Sequence, residues 1–202
     1  LFYSKNKLKN DFFFNIFGDE KKIDQELNKY KISQNCYKIY HTTSAVADDE
    51  TPITAIKNSK NSSMWNSVFS QVNAVSDITL SAGNTGVLLV ISRMILKTFE
   101  GVSKPALAGL WPNNNGMNIV LDLGANIECD ENNLIEFAEM GAALHKSLFP
   151  SEEQKVALLN IGSEEIKGTE TIKKAYSDLK NISQKGDFVF NGYIEGNKIT
   201  EG

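Results

Sequence analysis

The chain has 202 residues, 41% hydrophobic and 23% charged, enough apolar material for a packed core and ordinary for a globular protein. Its net charge of -4 comes from 21 basic residues scattered among 25 acidic ones, which argues against binding to nucleic-acid phosphates through clustered cations. Cys36 and Cys129 lie far apart and fit no metal-ligand spacing, and two histidines are too few for a metal cluster, so neither metal nor cofactor is expected.

Phe12 to Phe17 is a short apolar run that ends at Gly18-Asp19 and predicts a buried strand. Asp19 to Tyr30 follows as a helix, with Ile23 and Leu27 four apart. Tyr37 to Tyr40 predicts a second strand, with His41 just past its end. An acidic loop, Asp48-Asp49-Glu50, leads to Thr51-Pro52 and places proline in the first turn of a helix. Ser62 to Val72 is a further helix, capped by Ser62 or Ser63. Asp77 to Ser81 reads as a strand, Gly83 as a turn, and Asn84 or Thr85 opens a helix to Thr98.

Pro105–Trp111 and Met117–Leu123 flank Asn113-Asn114-Asn115-Gly116, and Asn-Gly between apolar runs signals a hairpin. Glu131 to Leu148 is a long amphipathic helix with Leu134, Phe137, Ala138, Gly141, Leu144 and Leu148 on one face. Val156 to Asn160 is a strand, Thr169 to Leu179 a helix, and Phe188 to Phe190 a last strand. Strands alternating with helices imply crossovers, and therefore a single α/β/α domain of three layers with a mostly parallel sheet and one small β-hairpin.

The longest apolar run, Val87 to Ile91, falls short of the ~18 residues that a membrane span requires. Leu1 to Lys9 carries three lysines and no apolar core, so no signal peptide is read there. A start without Met and a stop at Glu201-Gly202 predict a piece of a longer chain.

Ligands of open α/β sheets bind beyond the carboxyl ends of the strands. Four such ends carry unusual residues. Ser81-Ala82-Gly83-Asn84-Thr85-Gly86 brings glycines to a strand–helix turn, where backbone N–H groups meet anions. Asp122-Leu123-Gly124-Ala125-Asn126 offers a carboxylate and an amide. Asn160 to Gly168 holds Gly162, Glu164, Glu165 and Lys167, and the fourth end is His41. Each has a plainer alternative. Gly83 and Gly86 serve close packing, Asn84 a helix cap, Glu164 and Glu165 a solvated loop neutralised by Lys167, and His41 a half-buried imidazole. His145, beside the apolar face of its helix, is read as structural. No Gly-x-Ser-x-Gly, Walker or Cys–His pattern supplies a covalent nucleophile.

These strand ends, in this order, resemble the phosphate acyltransferase family of bacterial phospholipid synthesis. Asp77 to Gly86 is similar to its central signature. Ile95–Thr98, Lys104–Ala108, Leu121–Asn126 and Leu158–Gly168 follow in register, as do Gly18–Glu20, His41 and Gly192–Gly196. The resemblance implies a fold like the isopropylmalate dehydrogenase and phosphotransacetylase group. It also implies transfer of an acyl group from acyl-carrier protein to inorganic phosphate, in a cytoplasmic homodimer associated peripherally with the membrane. The family's first strand would precede Leu1, and its Asp-Gly-Phe segment and dimerisation and membrane helices would follow Gly202. Ala55 to Ser63 departs from the family's denser basic run, keeping only Lys57 and Lys60.

On this reading phosphate sits at Ser81, Gly83, Asn84, Thr85 and Gly86, with Lys57 or Lys167 as countercharge. Asn126 and Asn160 hold the thioester carbonyl, and His41 moves a proton. Asp122, Gly162 and Glu165 complete the substrate contacts. Arg93, Lys97 and Lys104 form either a patch for the acidic carrier protein or a solvated helix end. The rivals are a phosphotransacetylase-like or decarboxylating dehydrogenase-like enzyme of related fold, or a non-catalytic acyl- or anion-binding module. A dehydrogenase would need several substrate-binding arginines, and Arg93 stands alone.

Overall fold

The structure, a computed structural model, describes residues 12–201. The lysine-bearing start, Leu1 to Lys9, lies outside them. The chain forms two compact units, Leu1–Lys97 and Thr98–Gly202.

In the first unit, β1 (Phe14–Gly18) pairs in parallel with β2 (Tyr37–His41), in register from Phe14 opposite Tyr37 to Gly18 opposite His41. The crossover is α1 (Glu20–Lys29), which starts at an Asp19 cap accepting from Lys22 N. Then come α2 (Pro52–Asn58), α3 (Ser63–Val72) and α4 (Thr85–Leu96). Ser62 caps α3 by accepting from Trp65 N, and Asn84 caps α4 by accepting from Val87 N. Both helices bury their apolar stripes together, with Met64, Val68, Val87 and Ile91 at the centre. The last three are wholly buried, each stabilising by about 1.5–3 kcal/mol.

Asp77 to Ser81 is not a strand here. Extended backbone becomes a strand only beside a partner, and Ile78 and Leu80 stand 82% and 93% exposed. Thr79 instead turns inward, its hydroxyl donating to Ser67 O and accepting from Gln71 Nε2.

The second unit opens with a hairpin, β3 (Gly109–Asn113) antiparallel to β4 (Gly116–Val120). Its two-residue loop is Asn114-Asn115, one position ahead of the Asn-Gly pair. Asn113 Oδ1 sets that turn by accepting from Asn115 N at 2.7 Å. α5 (Glu131–Leu148) begins with a reciprocal cap between Asp130 and Asn133. Its core face runs through Leu134, Phe137, Ala138 and Ala142, while Leu144 and Leu148 are exposed. β5 (Lys155–Asn160) and β6 (Val189–Glu195) pair in parallel across α6 (Glu170–Ser183), which Thr169 caps. Between Val156 and Leu158 the pairing on β6 advances from Phe190 to Tyr193, so one extra residue is accommodated where Gly192 takes φ +81°. Ala175, Leu179, Leu158 and Phe188 fill the core under these strands.

Candidate functional site

In the first unit the carboxyl ends of β1 and β2 meet several helix N-termini. His41 ends β2, and its Nδ1 accepts from Glu20 N, the first amide of α1, at 3.2 Å. Past His41, Thr42 N donates to Gly18 O, prolonging the parallel pair, and Thr42 Oγ1 donates to Asn61 O. Ser63 N donates to Ser44 O, fastening the same loop to the start of α3. The loop then reaches α4, where Asn84 Nδ2 donates to Asp48 O and Glu50 O, both at 3.0 Å.

Asn84 is therefore spent: Oδ1 caps the helix and Nδ2 holds the acidic loop. What remains at the α4 terminus, besides the exposed Thr85 hydroxyl, is backbone. With Asn84 as cap and Val87 N bonded to it, the amides of Thr85 and Gly86 are orphan donors of the first turn. Ser81 Oγ accepts from Gly83 N and shapes the preceding turn. The glycines also serve packing. A Cβ on Gly83 would lie 3.0 Å from Met64 Cε, and one on Gly86 would lie 3.3 Å from Pro52 Cγ of α2. The close-packing alternative is thus real, and it is also what brings α2, with Lys57 exposed in its last turn, against the start of α4.

The predicted residues of the second unit form two separate knots. In the first, Asp122 gathers four donors. Oδ1 accepts from Leu107 N at 2.7 Å and Ala125 N at 3.2 Å, while Oδ2 accepts from Asn126 N at 2.7 Å and Asn126 Nδ2 at 2.9 Å. Partial burial pushes its carboxyl up, but the bonds from Leu107, Asn126 and Ala125 outweigh this and hold it below the ordinary aspartate value. Asn126 Nδ2 also donates to Pro105 O, so both residues lock the turn to the segment before β3.

In the second knot, buried Asn160 donates through Nδ2 to Lys167 O and accepts through Oδ1 from Ile161 N. Gly168, at φ +99°, lies against it, and a Cβ there would approach Asn160 Oδ1 to 2.8 Å. Lys167 folds over Gly162 and pairs with Glu164 at 3.0 Å. That hydrogen bond from Lys167 holds the exposed Glu164 carboxyl below its ordinary range. Glu165 accepts from Tyr176 Oη at 2.7 Å and lies 3.6 Å from Lys180 Nζ. The tyrosine bond, then the ammonium, lower the Glu165 carboxyl, while the bond to Glu165, then burial, raise the Tyr176 phenol.

Sequence reasoning missed Tyr176. Its signal was position, one residue along from Ala175 on the Ile172–Leu179 stripe of α6. It also missed the amide of Glu20, which no side-chain motif reveals.

Other residues fall where their chemistry places them. Lys104 Nζ donates to Glu128 O, so this ammonium is tied to its own unit's loop. His145, near the end of α5, packs on Phe149 just past that helix and lies 3.6 Å from Glu152. Cys36 and Cys129 are free, half-buried thiols, and burial pushes the Cys129 thiol up. Among the described residues no cluster of His, Cys, Asp or Glu is arranged to hold a metal, and no helix is long and apolar enough to cross a membrane.

A family model described as fatty acid synthesis protein matches residues 4–202. The chain is 52% identical over 190 residues to the phosphate acyltransferase of Pelagibacter ubique, covering 94% of this chain and 56% of that protein. It is 39% identical over 189 residues to the phosphate acyltransferase of Caulobacter vibrioides, covering 94% and 52%. The chain thus spans about half the length of the curated relatives it matches. Among solved structures, EutD phosphotransacetylase from Staphylococcus aureus shares the fold with a TM-score of 0.59 over 95% of this chain and 71% of that one, at 16% identity. That likeness speaks for the fold, and it agrees with the α/β architecture expected from the alternating elements.

Proposed function

We propose, because this chain belongs to the fatty acid synthesis protein family, that it forms part of an enzyme transferring an acyl group from an acyl-carrier-protein thioester to inorganic phosphate. The observation that carries this reading is the α4 N-terminus. Among the described residues the Thr85 and Gly86 amides have no internal partner behind the Ser81–Gly83 turn, in a chain whose relatives are phosphate acyltransferases. Orphan amides at the positive end of a helix dipole suit a phosphate dianion.

Phosphate needs positioning more than activation. One of its oxygens attacks the thioester carbonyl carbon, the C–S bond breaks, and the proton carried by hydrogen phosphate ends on the departing thiol. Atoms and charge balance without a covalent enzyme intermediate. In this account Thr85 and Gly86 amides hold the phosphate, Ser81 and Gly83 shape the turn, and Asn84 positions the helix start. Lys57, on the neighbouring α2, is the countercharge. Asn126, Asp122, Asn160 and Gly162 keep their loops in shape rather than contact the carbonyl, because the side-chain nitrogens of Asn126 and Asn160 and the Asp122 oxygens are already bonded and Lys167 covers Gly162. Glu165 bonds Tyr176 and Lys167 pairs with Glu164 within the second unit.

The same reading includes acyl-carrier protein as partner, with Lys97 in the contact, and a cytoplasmic homodimer with peripheral membrane association. Titrating inorganic phosphate into the 15N-labelled chain tests the site. Saturable shifts of the Thr85 and Gly86 amides are expected. Movement elsewhere with those two amides still would sink the assignment.

A further inference from the structure

His41 carries one feature that the reaction scheme above leaves unexplained. Its Nδ1 faces Glu20 N at 3.2 Å, and a backbone amide can only donate. Nδ1 must therefore present its lone pair, which leaves the ring proton of the neutral imidazole on Nε2. The amide is the first of α1, directly after the Asp19 cap. His41 is exposed, and among the described residues nothing accepts from Nε2.

We infer that the Glu20 amide fixes His41 as the neutral Nε2–H tautomer, so that Nε2–H is a preset hydrogen-bond donor to an oxygen of a bound phosphate or thioester carbonyl. The donor's target rests on the function proposed above; the tautomer does not. In this state His41 has no proton to give a departing thiolate, since losing Nε2–H would create an imidazolate. It stabilises charge on oxygen without passing through a cation. The Glu20 backbone is a positioning group acting through His41.

The geometry offers an unusually clean edit. Glu20 occupies the first helical position, where proline is tolerated, and Asp19 has φ -66° and ψ 109°, an extended conformation that the residue before proline prefers. Glu20→Pro thus deletes the amide and keeps the helix, whereas Glu20→Ala keeps the amide and deletes only the side chain. The chain has two histidines, so a long-range 1H–15N spectrum of the imidazoles shows two patterns, and His145→Gln assigns them.

At pH 8, His41 should show a single Nε2–H pattern in the native chain and in Glu20→Ala, and a mixture of both tautomers, as in free imidazole, in Glu20→Pro. A mixture in the native chain would overturn the inference, as would an unchanged single pattern in a folded Glu20→Pro chain. If circular dichroism shows that Glu20→Pro loses helix, the native and Glu20→Ala spectra decide alone. In the full-length protein, acyl phosphate formation by Glu20→Pro should fall about tenfold or more below that of Glu20→Ala, as when a preset donor is lost. Equal rates despite a changed tautomer would overturn the donor role. Absence of acyl phosphate from every variant, the native one included, would strike the proposed function and leave the tautomer standing.

Discussion

Replacing Asp122 with asparagine should destabilise the second unit out of proportion to the single atom changed. Each carboxylate oxygen accepts two N–H groups, from Leu107 and Ala125 on one and from Asn126 on the other. Whichever oxygen becomes an amide nitrogen, two donors are left facing a donor. An unsatisfied buried N–H costs ~1–3 kcal/mol, and the lower half applies to this half-buried turn, so the loss is about 2–4 kcal/mol. The two tryptophans divide between the units, Trp65 in the first and Trp111 in the second, so Trp111 fluorescence in a Trp65→Phe background reports the second unit. With a urea slope of ~2 kcal/mol/M, the midpoint should fall by about 1–2 M. The pH dependence has a definite sign. A carboxyl held below its ordinary value contributes stability above about pH 4, and loses it as pH falls through the lowered value. The gap between native and Asp122→Asn chains should therefore close in acid. A midpoint change under about 0.2 M, or a gap that widens in acid, would refute the reasoning.

Gly168→Ala should cost about 2–3 kcal/mol by the same Trp111 readout, combining a left-handed backbone that alanine disfavours with a Cβ pressed on buried Asn160. A cost below about 0.5 kcal/mol would show that the loop relaxes freely. Asn84→Ala should cost about 2 kcal/mol by Trp65 fluorescence, the cap supplying ~1 and the two released carbonyls the rest. Amide hydrogen exchange should also quicken around residues 48–50; protection unchanged there would mean that Asn84 does not anchor the acidic loop. Tyr176→Phe should raise the Glu165 carboxyl back toward its ordinary value in an NMR titration, because its main hydrogen bond is gone. No movement would assign the lowering to Lys180 instead.

Much of the fold was legible because its signals are local. Asp19, Ser62, Asn84 and Thr169 announce helix starts by residue type, and each side chain makes its cap bond. Crossover helices between apolar runs implied parallel pairing, which β1–β2 and β5–β6 display. Asp77 to Ser81 shows the opposite case. Alternating apolar residues mark a strand's potential, but a strand exists only with a neighbour. On α5, the 3.6-residue stripe was right through Phe137 and Ala138 and then drifted, because Leu144 and Leu148 match the period while only Ala142 meets the core.

The candidate site divides in the same way. Residue types and strand ends located its pieces. How each polar atom is spent was not legible, since Asn84, Asn126 and Asn160 look equally free in a sequence, and their partners are backbone groups joined, for Asn126, by the Asp122 carboxylate; the group that orients His41 is likewise a backbone amide, that of Glu20.

The central claim is acyl transfer to phosphate. Its most direct measurement is to incubate the full-length protein with an acyl-carrier-protein thioester and inorganic phosphate, and to follow products by mass spectrometry. The account predicts acyl phosphate that appears only when phosphate is present, with free carrier thiol in equal amount. Release of free fatty acid instead, or thioester consumption independent of phosphate, would contradict it.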